Sequence, residues 1–126
     1  MIIEHFGGTE YASNADELCM VLNKRYGNGV NEFWISEEKM DIPCMTILVN
    51  KNLANVTYFP DSNSPGYQSV GNKKNPKDSS VFYVNTPDEE IEIFNDTIIS
   101  FQDALKAAIE FFQNNQMPTC IEWTEN

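Results

Sequence analysis

The sequence predicts an α+β domain: an antiparallel β-sheet of roughly five to seven strands, with two helices packed on one face. Three observations carry that expectation. Several short runs rich in Ile, Val, Thr, Tyr and Phe alternate in polarity and are separated by turn residues. Two segments, one towards each end, instead repeat their apolar residues at helical spacing behind a capping residue. The strands are hairpin-linked and flanked by the two helices, the arrangement of an antiparallel sheet covered on one side. The other side is then left to water or to a partner.

The elements follow in chain order. Ile2 to Phe6 is short and apolar and reads as an edge strand ended by Gly7-Gly8. Ser13 opens a helix, with Asp16 as its capping-box partner. Ala15, Leu18, Cys19, Leu22 and Tyr26 form its apolar face, and Gly27 and Gly29 stop it. The period then changes from helical to alternating. Phe33 and Ile35 point one way and Trp34 the other, while Met45, Ile47 and Val49 alternate with Thr46, Leu48 and Asn50. Lys51-Asn52 is the turn into Ala54 to Phe59, which returns antiparallel. The residues from Pro60 to Gly66 make a loop, and Tyr67 to Val70 a further strand. Gly71 to Ser79, with Lys73, Lys74 and Lys77, is expected as a mobile loop. Val81 to Val84 and Ile91 to Ile93 are short strands. Ser100 caps the second helix with Asp103 as partner; Phe101, Leu105, Ala108, Ile109 and Phe112 are its expected buried face. Pro118 forbids continuation, and Cys120 to Trp123 is a closing strand. No linker divides the 126 residues, so one domain over 1–126 is expected.

Composition narrows function. The chain carries 19 acidic and 8 basic side chains, a formal charge of −11, and is 41% hydrophobic, too apolar for a disordered acidic tail. Nucleic-acid binding draws on Lys and Arg, and anionic membranes attract the same residues, so neither partner is expected. The charge is uneven: residues 87–126 hold nine acids and one base, whereas residues 43–86 hold two acids and four bases. An acidic last third reads either as a solubilising surface or as one complementary to a basic protein. The start of the chain lacks the basic and apolar regions of a secretory signal, and no run approaches the length of a membrane span. Three widely spaced cysteines, Cys19, Cys44 and Cys120, do not suggest a disulfide framework, so a cytoplasmic protein is expected.

Catalytic chemistry finds little support. His5 is the only histidine, and it reads as a solvated or strand-end residue; a Ser-His-Asp or Cys-His site would have to run through it. The cysteines and His5 lack the paired spacing of a zinc site, and Cys19 and Cys120 read as small apolar filler. Gly27-Asn28-Gly29 follows a helix, so it is a helix stop and not a phosphate cradle. The acid pairs Glu37-Glu38 and Glu89-Glu90 read as solvated faces; a two-carboxylate hydrolase has no further support in the sequence. No cofactor, metal or catalytic residue is assigned.

The second half carries a resemblance. The run Ile47 to Pro60, then Gly66-Tyr67-Gln68-Ser69-Val70-Gly71, Phe82-Tyr83-Val84-Asn85, Glu89-Glu90-Ile91-Glu92, and the ending Met117-Pro118 with Ile121-Glu122-Trp123-Thr124-Glu125 resemble immunity family 1 of bacterial polymorphic toxin systems. The resemblance covers about residues 43–126. It implies a non-enzymatic protein that binds a cognate toxin domain, often a deaminase, and occludes a basic active-site cleft. The matching positions are Tyr58, Gly66, Tyr67, Ser69, Gly71, Phe82, Asn85, Glu89, Glu90 and Trp123. Of these, Gly66 and Gly71 are expected to serve backbone turns, and Phe82 and Trp123 to fill the core. The expected partner contacts are Asp61, Tyr67, Glu89, Glu90, Glu92 and Glu125, on a monomer or weak homodimer. The alternative is a small ligand-binding or scaffold module whose pocket Tyr58, Tyr67 and Tyr83 would line.

Overall fold

The computed structural model describes residues 1–37, 42–71 and 78–126, so Glu38 and the loop lysines Lys73, Lys74 and Lys77 lie outside the described residues. In chain order the elements are β1 (Ile2–His5), β2 (Gly8–Tyr11), α1 (Ala15–Leu22), β3 (Val30–Ser36), β4 (Cys44–Asn50), β5 (Leu53–Phe59) and β6 (Tyr67–Ser69). Then come β7 (Ser79–Tyr83), β8 (Glu90–Phe94), a 3-10 turn (Asn95–Thr97), β9 (Ile98–Ser100), α2 (Phe101–Asn114) and β10 (Trp123–Glu125). Among the described residues, eight strands form one antiparallel sheet in the order β10-β6-β5-β4-β3-β1-β2, with β9 beside β6 on β5. β7 and β8 form a separate two-stranded ribbon.

The α+β class and the helices on one face agree with the sequence, but ten strands exceed the expected five to seven. The extra ones are short. β2 is four residues, largely polar, and solvated along the sheet edge, so it lacks the apolar alternation that marks a strand. It displaces β1 from the edge to the second position. β9 is three residues that run directly into the cap of α2. The closing strand begins at Trp123, later than expected, and Cys120 is exposed ahead of it.

Strand parity decides what each face buries. Phe33, Ile35, Met45, Ile47, Val49, Ala54, Val56 and Tyr58 point towards the helices and join Leu18, Leu22, Phe101, Ala104, Ala108 and Phe111 in the main core. The α1 cap sits one residue later than expected: Asn14 Oδ1 accepts from Glu17 N at 2.9 Å, and Glu17 Oε1 accepts from Ser13 N at 2.7 Å. The return bond thus reaches the residue before the cap, Ser13, and not the cap's own N–H as in a capping box. α1 ends at Leu22, so Tyr26 lies outside it, and Cys19 is only half-buried. The expected Ser100 cap is present, its Oγ accepting from Asp103 N at 3.1 Å. Such caps each contribute about 1 kcal/mol. The buried face of α2 is rotated from the expected one, to Phe101, Ala104, Ala107, Ala108 and Phe111. Alanines let the helix approach the sheet closely, and the bulkier Leu105, Ile109 and Phe112 pack at the margins of the contact.

His5 is the strand-end residue of the two expected readings, not the solvated one. It ends β1, but its ring is fully shielded, lying 5.9 Å from Tyr26 and 5.6 Å from Phe33. Nδ1 accepts from Gly7 N, which leaves Nε2 to donate to Glu10 Oε2 at 2.6 Å. Glu10 Oε1 also accepts from Lys24 Nζ at 2.6 Å. Those partners, Lys24 first, hold the Glu10 carboxyl below its ordinary range; the Thr119 N–H does the same for Glu110. A lowered folded-state value adds stability above the ordinary range, and this is lost as pH falls through the folded value. Denaturant midpoints measured downward from pH 7 are therefore expected to drop below about pH 4.5, and less steeply in Glu10→Gln. Equal slopes would remove Glu10 from the acid limb.

Candidate partner-binding surface

The sheet face opposite the helices is read most easily as cross-strand rows, because antiparallel partners share a face. One row runs Tyr11, Ile2, Ser36, Cys44, Phe59 across β2, β1, β3, β4 and β5. The next runs Thr9, Glu4, Trp34, Thr46, Thr57, Gln68 and Thr124. A third, Glu32, Leu48, Asn55 and Ile98, meets the ribbon. There Leu48, Phe82 and Ile98 form a second, smaller core. Asn50 Nδ2 donates to Val81 O at 2.8 Å, and Glu32 Oε1 accepts from Asn85 N at 3.0 Å. The ribbon therefore covers one end of the face and leaves the first two rows open.

The open part is concave. A hollow of about 300 Å³ is lined by Ile2, Trp34, Ile35, Ile42, Cys44 and Phe59, with Glu4, Ser36, Asp61, Ser62 and Ser64. The Trp34 and Phe59 rings lie parallel, with centroids 6.3 Å apart. Trp34 remains 44% exposed, which is unusual for a large aromatic in a central strand. A second hollow of about 220 Å³ adjoins it, sharing Glu4 and Trp34 and adding Glu32 and Asn85. No Lys or Arg lines either hollow among the described residues. Cys44 lies at the base of the first, where burial pushes its thiol up and keeps it protonated.

The six contacts expected from sequence fall in three places. Asp61 lines the open hollow, where its Oδ1 also accepts from Asn63 N at 2.9 Å. Glu90 and Glu92 stand opposite Tyr83 and Val81 on the ribbon, and Glu89 accepts from Asn85 Nδ2 at 2.8 Å; all three are exposed. Tyr67 and Glu125 are register partners on the far edge of the sheet, in line with Tyr58 and hence on the helix side. The structure thus brings Asp61 and the ribbon acids to one side and places Tyr67 and Glu125 on the other. Of the three tyrosines of the ligand-module alternative, Tyr58 and Tyr67 are register partners on the helix side, and Tyr83 stands apart from them. Tyr58 is buried against Phe111, Tyr67 packs beside the main core, and Tyr83 is on the ribbon.

Sequence reasoning missed Trp34, Phe59, Ile2 and Ile42 as surface residues. A signal was present for Trp34: it sits at the off-core parity of β3, where a bulky aromatic needs its own explanation. The concavity depends on strand order and carried no sequence mark.

Several shared motif positions hold the frame instead. Ser69 is fully buried, accepts from Val56 N at 3.1 Å and donates to Thr97 O at 2.8 Å. Trp123 Nε1 donates to Pro118 O at 2.8 Å, and its ring lies against Tyr58. Asn85 adopts a left-handed φ of 65° and ties the ribbon to Glu32. The family profile described as Immunity protein Imm1 matches residues 10–125. The chain belongs to the Imm1 family of immunity proteins. It is also similar to the double-stranded DNA deaminase immunity protein of Burkholderia cenocepacia (strain H111), at 26% identity over 125 residues and 99% of each chain. As an Imm1 protein it neutralises a cognate toxin, its expected partner. No helix of this Imm1 chain, among the described residues, is long and apolar enough to cross a membrane. No group of three or more His, Cys, Asp or Glu among them could hold a metal ion.

Proposed function

We propose that this Imm1 protein binds the catalytic domain of a nucleic-acid deaminase toxin in the cytoplasm, covers its basic substrate cleft, and does no catalysis itself. The observation that carries the deaminase is the end-to-end similarity to an immunity protein for one. The physical support is the charge: a toxin acting on DNA or RNA needs a basic channel, and a protein of charge −11 complements it. The docking side is the open sheet face with the ribbon, so that Asp61, Glu89, Glu90 and Glu92 meet the toxin together. Tyr67 and Glu125 would join only if the toxin wrapped the β10 edge.

Co-expression with the toxin domain encoded in the adjacent reading frame should restore growth and give a complex on gel filtration. Persistent toxicity with no complex would refute the reading. Reversing Glu89 and Glu90 to lysine should slow association at low salt and matter little at 1 M salt, where the screening length is about 3 Å. An unchanged association rate would remove the ribbon from the docking side.

A further inference from the structure

We propose that the hollow beside Trp34 and Phe59 receives one arginine side chain of the toxin, with the guanidinium over the Trp34 indole and paired with the Asp61 carboxylate. This rests on the toxin-binding reading above and names the chemistry at its centre.

Four features converge on that occupant. The volume, about 300 Å³, is at the bottom of the range for ligand pockets and suits a single side chain better than a whole ligand. The walls offered by Ile2, Ile42 and Phe59 are apolar, as an aliphatic stem requires. Asp61 lines the same hollow, where no Lys or Arg of the described residues stands, so a purely aliphatic guest would crowd that carboxylate without replacing its water. The partly exposed indole of Trp34 offers a π-face, on which a planar guanidinium stacks and still reaches a carboxylate; an ammonium makes only a point contact. A nucleic-acid phosphate is repelled by the same carboxylate. Trp and Arg are also the residues most enriched where interface energy concentrates.

Calorimetric titration of the full chain with a catalytically inactivated toxin domain tests this. Trp34→Ala should weaken binding by about 30-fold or more, the scale of an interface hot spot. Asp61→Asn, which keeps the turn bond to Asn63 N but drops the charge, should weaken it by about tenfold. Asp61 is exposed in a loop, so this variant tests the site even if Trp34→Ala were to unfold. Alanine replacement of one toxin arginine should have a smaller effect in the Asp61→Asn background than in the wild type. A wild-type chain that neither binds nor protects would overturn the immunity reading itself. Wild-type binding with both variants unchanged would overturn only this inference. Loss in Trp34→Ala with full affinity in Asp61→Asn, or no toxin arginine coupled to Asp61, would overturn the arginine and leave an apolar guest.

Discussion

Gly71→Ala is expected to lower the unfolding free energy by about 3 kcal/mol or more, the upper range for forcing an atom into a packed site. A Cβ built on Gly71 would stand 1.7 Å from Ile98 O and 2.5 Å from the carbonyl carbon, both backbone atoms that cannot rotate away. The two segments are also tied, because Gly71 N donates to Asp96 O at 2.7 Å. Pushing them apart moves Thr97, whose carbonyl accepts from both Ser69 Oγ and Asn55 Nδ2. Ser69 and Asn55 are buried, so those bonds cannot be exchanged for water. Gly8 provides the control. It has φ +114° but nothing within 4 Å of a Cβ, so Gly8→Ala carries only the conformational cost, about 1 kcal/mol. Denaturant unfolding of both variants checks this. Equal midpoint shifts would mean that the 96–98 segment yields and that the close approach is not what makes glycine necessary.

Asn31→Leu is expected to cost about 3 kcal/mol or more, although leucine is similar in size and opens no large cavity. Asn31 is fully buried on the helix side of β3, among Phe33 and its neighbours. Its Oδ1 accepts from Phe6 N at 3.1 Å, and its Nδ2 donates to Lys24 O at 2.9 Å and approaches His5 Nδ1 at 3.3 Å. One side chain thus joins the β1–β2 turn, the segment after α1, and β3. Removing it leaves the Phe6 N–H without its partner, at about 1–3 kcal/mol if it stays dry, and takes one of two donors from Lys24 O, which Arg25 Nη1 also reaches at 3.0 Å. The β1–β2 hairpin carries Ile2 and Glu4 into the proposed docking hollow, so loosening it is also expected to weaken toxin binding. A variant as stable as wild type would show that water replaces the amide there.

Particular elements show how far the chain could be read in advance. β3, β4 and β5 were legible because their alternation is strong: Phe33, Ile47 and Val56 do share a face, and Trp34 does point the other way. Lys51 turns the hairpin in the left-handed region, where the polar pair Lys51-Asn52 placed it. α2 was legible from Ser100 and its periodicity, yet its rotation was not. Periodicity marks a stripe of apolar residues, and only contact with the sheet selects which part of the stripe lies closest. β2 and β9 were invisible because their strand conformation comes from pairing with β1 and β5, not from their own residues. His5 was legible as a strand end but its burial was not, because a polar residue near a chain end is usually solvated, whereas here Tyr26 and Phe33 close over it.

By itself the sequence determined the class, the two helices, the three central strands and the acidic character, all of which are local or additive properties of the chain. The immunity family was legible too, through motif order. The tertiary structure decided the make-up of the proposed docking surface. Trp34, Phe59, Asp61 and Ile2 come from separate strands and a loop, and become neighbours only through the order β5-β4-β3-β1. The ribbon decided the rest, by covering the Leu48 end of that face and leaving the Trp34 end open. Long-range pairing sets both, and no local pattern of charge or hydrophobicity encodes which strands will lie side by side.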